Sequence, residues 1–395
     1  MVLGVNPEAA YRSVKALVDV WEVAGERMLA TVARRLARGV EAPGWAERKS
    51  SEVLLVRAEL AAIVQAAGAD LQGQASAALE EAYGIGGAVA AQLGEVAIET
   101  NVGRVVGLVT RFVAQIRGTF LPVIRAHQDV YQRAIQDSET LMATGTIVRR
   151  EAVAMAVDHL LVEGQERFTD ASGRRWHLDA YVRMAGRTAA QQAAVEGQLD
   201  GMVARGRDLV VISDSPRECR LCAPWEGKLL SVSGATAEGA EVGGHRVHGT
   251  VAEARAAGLW HPNCTHRADP YTPGFTRVPE AKANPEGYAA AQKLRRLERE
   301  VRDLRRAESA LKELGDTQAL RVVRAKIRAK HAAIAAHAAA TGQNRRRERE
   351  RPVGGGMSVE EARALASQPT RARARKPAGP AEPERFETIR GVELA

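Results

Sequence analysis

Three cysteines are the whole cysteine complement of this 395-residue chain. That odd number does not close into a disulfide framework and points to a reducing compartment with thiols free or bound to metal. Aromatic residues make up only 4%, and much of the apolar content is alanine, leucine and valine, a mixture that favours helices over a β-sandwich. Long apolar runs are missing too. The uncharged stretch Ala82–Gly94 spans thirteen residues and is glycine-rich, short of the roughly 18 to 20 that cross a bilayer, so no membrane span is expected. Met1 to Ala10 contains no lysine or arginine, and the basic-then-apolar layout of a secretory leader is not expected. Nor is there a Walker loop, a nucleophile elbow or a His-Glu-x-x-His helix, so no strong catalytic set is offered.

Charge is present but unevenly spread. Residues 291–351 hold 18 Lys/Arg against 8 Asp/Glu, an excess of ten positive charges in a chain whose net charge is +8. The basicity therefore belongs to one segment, as for a local polyanion-binding surface.

Four regions follow from the patterning. Residues 1–145 read as an N-terminal helical domain: Val14, Leu17, Val18, Trp21 and Val23 or Ala24 fall near a 3.6 period, with Gly39 as a stop. Glycines 84, 86 and 87 and Pro122 are expected to break the later part into shorter helices. Residues 146–284 form a core region. A helix begins near Thr146, its candidate cap, and ends at Gly164; a second runs from about Leu178 to Arg205; DLVVIS at 208–213 is a short β-branched strand. Residues 285–351 read as a basic helical hairpin with coiled-coil character, Leu294, Leu297, Val301, Leu304 and Leu311 facing Leu320, Val323, Ile327 and Ile334 across a Gly315-Asp316 turn. Residues 352–395 lack an apolar stripe and read as a disordered tail. The fold class is thus mainly α with a small α+β module.

The chemistry concentrates in that module. Cys219 and Cys222 form a Cys-x2-Cys pair and His261 and Cys264 a His-x2-Cys pair, with His266 a rival to His261. Three thiolates and an imidazole suit tetrahedral Zn2+, and a full protein shell makes the site structural. Residues 223–260 separate the pairs, a longer interval than in compact zinc fingers. The alternative is a metal-dependent hydrolase or nuclease, with Glu226 as a base on a metal-bound water or His248 as part of an HNH-like set. The deaminase layout is absent, Glu226 reads more simply as a surface or N-cap carboxylate, and His245 and His248 sit in GGHRVHG, a glycine-rich loop or hairpin.

Candidate DNA contacts are Arg295, Arg296, Arg299, Arg302, Arg305 and Arg306 on the first hairpin helix, Arg321, Arg324 and Lys326 on the second, and Arg345, Arg346 and Arg347 beyond it. Glu298, Glu300 and Asp303 can pair with some of these locally. Few aromatics are interleaved, so non-specific phosphate contact is expected rather than base readout.

Four stretches carry a family resemblance: YVRMAGRT at 181–188, DLVVISDSPRECRLCAPWEGKLLSVSG at 208–234, GLWHPNCTHRADPYTPG at 258–274 and YAAAQKLRRLEREVRDLRR at 288–306. Their order resembles the tailed-phage minor capsid proteins of the minor capsid protein 2 type, and in outline the Mu F-like head morphogenesis proteins. The resemblance implies a non-enzymatic virion component in the phage head, made in the bacterial cytoplasm, and associated with portal, other head proteins and packaged DNA. By position, Cys219, Cys222, His261, Cys264 and His266 fall on the family's Cys/His motif, and Arg187 and Thr188 on its Arg-Thr helix motif.

Overall fold

The computed structural model of the chain describes residues 4–94, 100–143, 145, 147–215, 219–350 and 358–366. Its first helix, α1 (Pro7–Ala37), starts where the Asn6 side chain accepts the Glu8 N–H and Pro7 supplies a helix-ready φ. Gly39, left-handed at φ +64°, ends it. Its apolar residues lie all round rather than on one stripe, and 18 of its 31 residues are buried. A helix of that kind belongs at the centre of a bundle.

Around it stand α2 (Trp45–Ser51), α3 (Val53–Gly68), α4 (Leu71–Ala91), α5 (Val102–Arg117), α6 (Phe120–Met142), α7 (Arg149–Val162) and α8 (Leu178–Val203). A two-strand ribbon, β1 (Phe168–Thr169) and β2 (Arg175–Trp176), leads into α8. Helix α7 begins after Val148, which offers no side-chain cap; Thr146 lies outside the described residues. Pro122 sits in the first turn of α6, where its missing N–H costs nothing.

The expected breaks at Gly84, Gly86 and Gly87 do not occur, because α4 runs through all three. Gly86 faces α8: a Cβ there would lie 1.8 Å from the Ala194 carbonyl oxygen, and one on Gly197 of α8 would lie 2.1 Å from that of Tyr83. The glycines let two helix backbones touch rather than end a helix.

Beyond α8 comes a five-stranded sheet in the order β5-β6-β4-β3-β7, from β3 (Leu209–Ile212), β4 (Leu229–Ser231), β5 (Glu241–Val242), β6 (His245–Thr250) and β7 (Ala268–Pro270). Strand β3 lies between antiparallel β4 and β7, and β4 pairs in parallel with β6. GGHRVHG is a hairpin: Val242 pairs with His245 across Gly243-Gly244, both at positive φ. Helix α9 (Val251–Ala256) follows β6 through a Thr250/Glu253 capping box.

The basic hairpin forms as expected. Helix α10 (Pro285–Leu314) ends on left-handed Gly315, and Asp316 caps α11 (Thr317–Thr341) through the Ala319 N–H. Leu294, Leu297, Val301 and Ile334 make its outer seam. The inner half, from Ala307 through Ile327, belongs to the same apolar cluster as α1, α4, α6, α7 and α8. One core therefore runs across the boundaries drawn near 145 and 284. Within the stretch read as a tail, α12 (Val359–Ala366) is a helix that buries Val359 and Ala362 against that core; two residues are too few to register as a stripe in sequence. Residues 351–357 and 367–395 of that stretch lie outside the described residues.

Candidate metal centre

Strand pairing explains how distant cysteines meet. Because β3 and β7 are antiparallel neighbours, the end of β3 lies beside the start of β7, with Ile212 opposite Ala268. Cys219 and Cys222 follow the first of these ends and His261 and Cys264 precede the second. The residues between them form β4, β5, β6 and α9, so the long interval is the sheet itself.

Each pair sits on a tight turn closed by a hydrogen bond between its first and fourth residues. The Cys222 N–H donates to the Cys219 carbonyl at 3.0 Å and the Cys264 N–H to the His261 carbonyl at 2.9 Å. Asn263 in the second turn and Trp260 just before it take positive φ values of 65° and 59°. Asparagine tolerates that region well; tryptophan does so only when packing fixes it. Trp260 is fixed, its indole N–H donating to the His266 carbonyl at 3.0 Å and Arg255 lying 5.0 Å over its ring.

His261 Nε2 stands 2.9 Å from Cys219 Sγ, and Cys222 Sγ 3.6 Å from Cys264 Sγ. His261 Nδ1 donates to the Pro262 carbonyl at 2.9 Å. His266 Nδ1 is 3.3 Å from Cys264 Sγ, and its other nitrogen meets the Glu226 carboxylate. Two groups of ligand atoms are thus close enough to hold an ion, Cys219-Cys222-His261 and Cys222-Cys264-His266, with Cys222 in both. All five residues singled out in the sequence converge, and the Cys/His cluster can hold a metal ion.

Glu226 is neither a surface carboxylate nor an N-cap. It is 4% exposed, accepts the Ser215 N–H at 3.2 Å and faces His266. Gly227, left-handed at φ +68°, turns the chain back toward β4 behind it. His245 and His248 stand on β6 and belong to neither group; His245 stacks edge-on against Tyr271.

The electrostatics favour a thiolate at Cys264. Hydrogen bonds from Cys222 and His266 hold Cys264 far below an ordinary thiol, at about 4, against the opposing effect of burial. Cys222, donating to Cys264 and buried, is pushed up. Burial alone would lower His266, but Cys264 and Glu226 on its two nitrogens outweigh it and raise it.

Most of the basic residues of the hairpin are already engaged. Arg306 pairs with Asp303 and, at 3.2 Å, with Asp179. Arg302 is 8% exposed and donates to the Arg349 carbonyl at 2.5 Å. Both are internal fasteners between α10 and the start of α8 rather than outward contacts, which corrects the sequence reading of these two residues. Arg305 and Arg324 share Glu308, Lys326 approaches Asp158, Arg345 pairs with Glu350, and Arg346 with Glu8. Among the described residues, Arg296, Arg299, Arg321 and Arg347 are exposed and make no ion pair.

What these features define is a mainly helical protein whose small sheet module carries a thiol-rich cluster that could hold a metal ion. The family model described as Phage minor capsid protein 2 matches residues 5–339, and the chain belongs to that family. It is therefore a structural component of the phage head type. Neither the curated proteins nor the solved structures contain a match. Among the described residues, no helix is long and apolar enough to cross a membrane.

Proposed function

We propose that the protein is a minor component of the phage head whose sheet module is closed by one structural Zn2+, and whose exposed arginines contact phosphates of packaged DNA beside the portal. The single observation carrying the metal reading is the convergence of all three cysteines and His261 on two matched turns, with His266 just beyond the second. Soft thiolates with one imidazole suit zinc better than magnesium or calcium. The first and fourth residues of each turn, Cys219, Cys222, His261 and Cys264, would supply the four donors of a tetrahedral site, with Cys222 shared by the two groups. His266 then stands behind it, tethered by Glu226 and donating to the Cys264 sulfur, the outer-layer arrangement that orients ligands. A filled donor set favours a structural over a hydrolytic role, and Glu226, held by His266, is poorly placed to serve as a base.

Portal and DNA association rest on the family membership together with the excess of positive charge on α10 and α11. The first test is elemental analysis of purified protein. About one zinc per chain is expected, lost in Cys219→Ser, Cys264→Ser and His261→Ala but retained in His266→Ala. Loss in His266→Ala with retention in His261→Ala would exchange the two histidines; no metal in any preparation would remove the zinc. Incorporation is tested separately, by finding the protein in purified heads and losing it when its gene is deleted.

A further inference from the structure

Beside the Cys/His turns lies a cleft of about 380 Å³ between α8, α10 and the His261–His266 segment. Arg187, Arg295, Arg299, Arg302 and Arg349 line it, with Arg183 at its base. Arg183 is neutralised by Glu22 and Arg302 by Asp179. Arg187 has no such partner: among the described residues it makes no ion pair, and it stands 4.8 Å over the Tyr11 ring. Burial, with Arg349 and Arg183 nearby, pushes it below the usual arginine value despite the opposing pull of Tyr11. Arg299 is exposed at the rim. Arg187 and Arg299 therefore give the cleft positive charge that the fold does not cancel, unlike most of the hairpin.

Its one carboxylate is anomalous. Glu298 is 3% exposed, and its Oε1 has no hydrogen-bond partner. Burial raises it, although Arg349, Arg302 and Arg295 act in the opposite direction. Nearly all buried polar side chains are satisfied, and an exception marks a missing partner. As a carboxylate, its Oε1 lacks a donor, which a bare anion does not supply. An amino group can. Tyr288, 37% exposed, and the Trp176 ring line the same cleft and offer aromatic surface.

We propose that this cleft binds a short unpaired segment of nucleic acid, with phosphates on Arg187 and Arg299 and the exocyclic amine of a base, which thymine lacks, on Glu298. The volume is at the small end of ligand sites, which run from roughly 300 to 1,000 Å³; it admits a nucleotide or two and no duplex. Tyr288 supplies a stacking face, and guanidinium groups pair with phosphate by charge-assisted hydrogen bonds. The inference deepens the DNA contact proposed above and rests on it. It also moves the base-proximal part of that contact from the outer faces of the hairpin to its junction with α8.

The test is fluorescence anisotropy on the full chain at several salt concentrations, with short labelled single strands of adenine, cytosine or thymine and with a duplex. AMP, inorganic phosphate and an oligoglutamate peptide serve as competitors. Adenine and cytosine strands are expected to bind more tightly than thymine, with AMP competing more weakly than the strand. Arg299→Ala, at an exposed position, should weaken strand binding about tenfold and reduce the slope of log K against log salt by about 0.7. Glu298→Met, which removes the unpaired acceptor at similar size, should abolish the preference over thymine and leave the fold intact. Several outcomes overturn the proposal: a base preference unchanged in Glu298→Met, AMP binding more tightly than the strand, or oligoglutamate competing as well as nucleic acid. Duplex binding lost in Arg321→Ala with no single-strand binding defeats the cleft while sparing the outer-face contact. No binding of either nucleic acid defeats both.

Discussion

Replacing Gly86 with alanine places a methyl group where the ideal Cβ lies 1.8 Å from the Ala194 carbonyl oxygen and 2.6 Å from the Gln198 nitrogen. Ordinary contact begins near 3.4 Å, so α8 has to retreat by about 1.6 Å. A gap of roughly 0.5 to 1 Å already forfeits a quarter to a half of the dispersion energy of facing atoms, and strain of this kind costs about 1 to 3 kcal/mol. Gly84 and Gly87 lie in the same helix with nothing within 4 Å of their Cβ positions. There alanine brings only its better helix propensity, a gain of about 0.5 to 1 kcal/mol. That gain is common to all three positions, so the difference between Gly86→Ala and Gly84→Ala isolates the backbone contact. The assay is chemical denaturation of the three variants side by side. Gly84→Ala and Gly87→Ala are expected to raise the midpoint and Gly86→Ala to lower it. Equal stabilisation by all three would refute the close crossing of α4 and α8. Gly197→Ala probes the same contact from the other helix and should behave like Gly86→Ala.

Other perturbations address the site and the charged interior. Glu226→Ala removes the carboxylate behind His266 and should weaken zinc about 10- to 100-fold in competition with a chromophoric chelator; unchanged affinity would take His266 out of the supporting shell. Asp179 lies within 4 Å of Arg183, Arg302 and Arg306. Asp179→Asn should cost about 3 to 5 kcal/mol in denaturant unfolding, because it strands buried cations, and a loss under 1 kcal/mol would contradict that. Although burial opposes it, Arg306 and then Arg183 hold Asp179 well below the usual carboxylate range. Its contribution is complete above about pH 4 and disappears as pH falls through the depressed native value. Glu26 runs the other way: burial, with Glu22 adding to it, raises it to about 7. Between about pH 4.5 and 7 the native state keeps a proton the unfolded chain has released, so stability falls as pH rises. Glu26→Gln should flatten that decline by up to about 3 kcal/mol, read from denaturation midpoints across the interval; parallel curves for the two proteins would count against it.

Element types were legible where periodicity was strong and ends were punctuated. The α10–Gly315–Asp316–α11 hairpin and the 208–213 strand are where the patterning places them. The same holds for the convergence of Cys219, Cys222, His261, Cys264 and His266, because three cysteines confined to two short turns have few other uses. What failed has identifiable causes. A glycine that ends a helix and one that admits a neighbour look alike in sequence, and only α8 distinguishes Gly86 from Gly39. Glu226 was misplaced because its environment comes from His266, forty positions away. Arg302 and Arg306 were assigned outward by composition, whereas Asp179 draws them in; acids on α8 carry no mark of the basic helix they face. Glu298, one residue after the seam leucine Leu297 in a charged stretch, gives no local sign of burial.

The position of α1 has a consequence in time. This central helix is covered by α8, α10 and α12, and residues 38–284 are made between its own synthesis and the start of α10. At about 5 to 20 residues per second, its apolar surface waits on the order of tens of seconds for its last neighbours. The nascent chain thus resembles a client held open on the ribosome more than a domain that folds as it emerges. The central core is thus completed only after α10 has been made, well after α3, α4, α6 and α8, which also pack against α1.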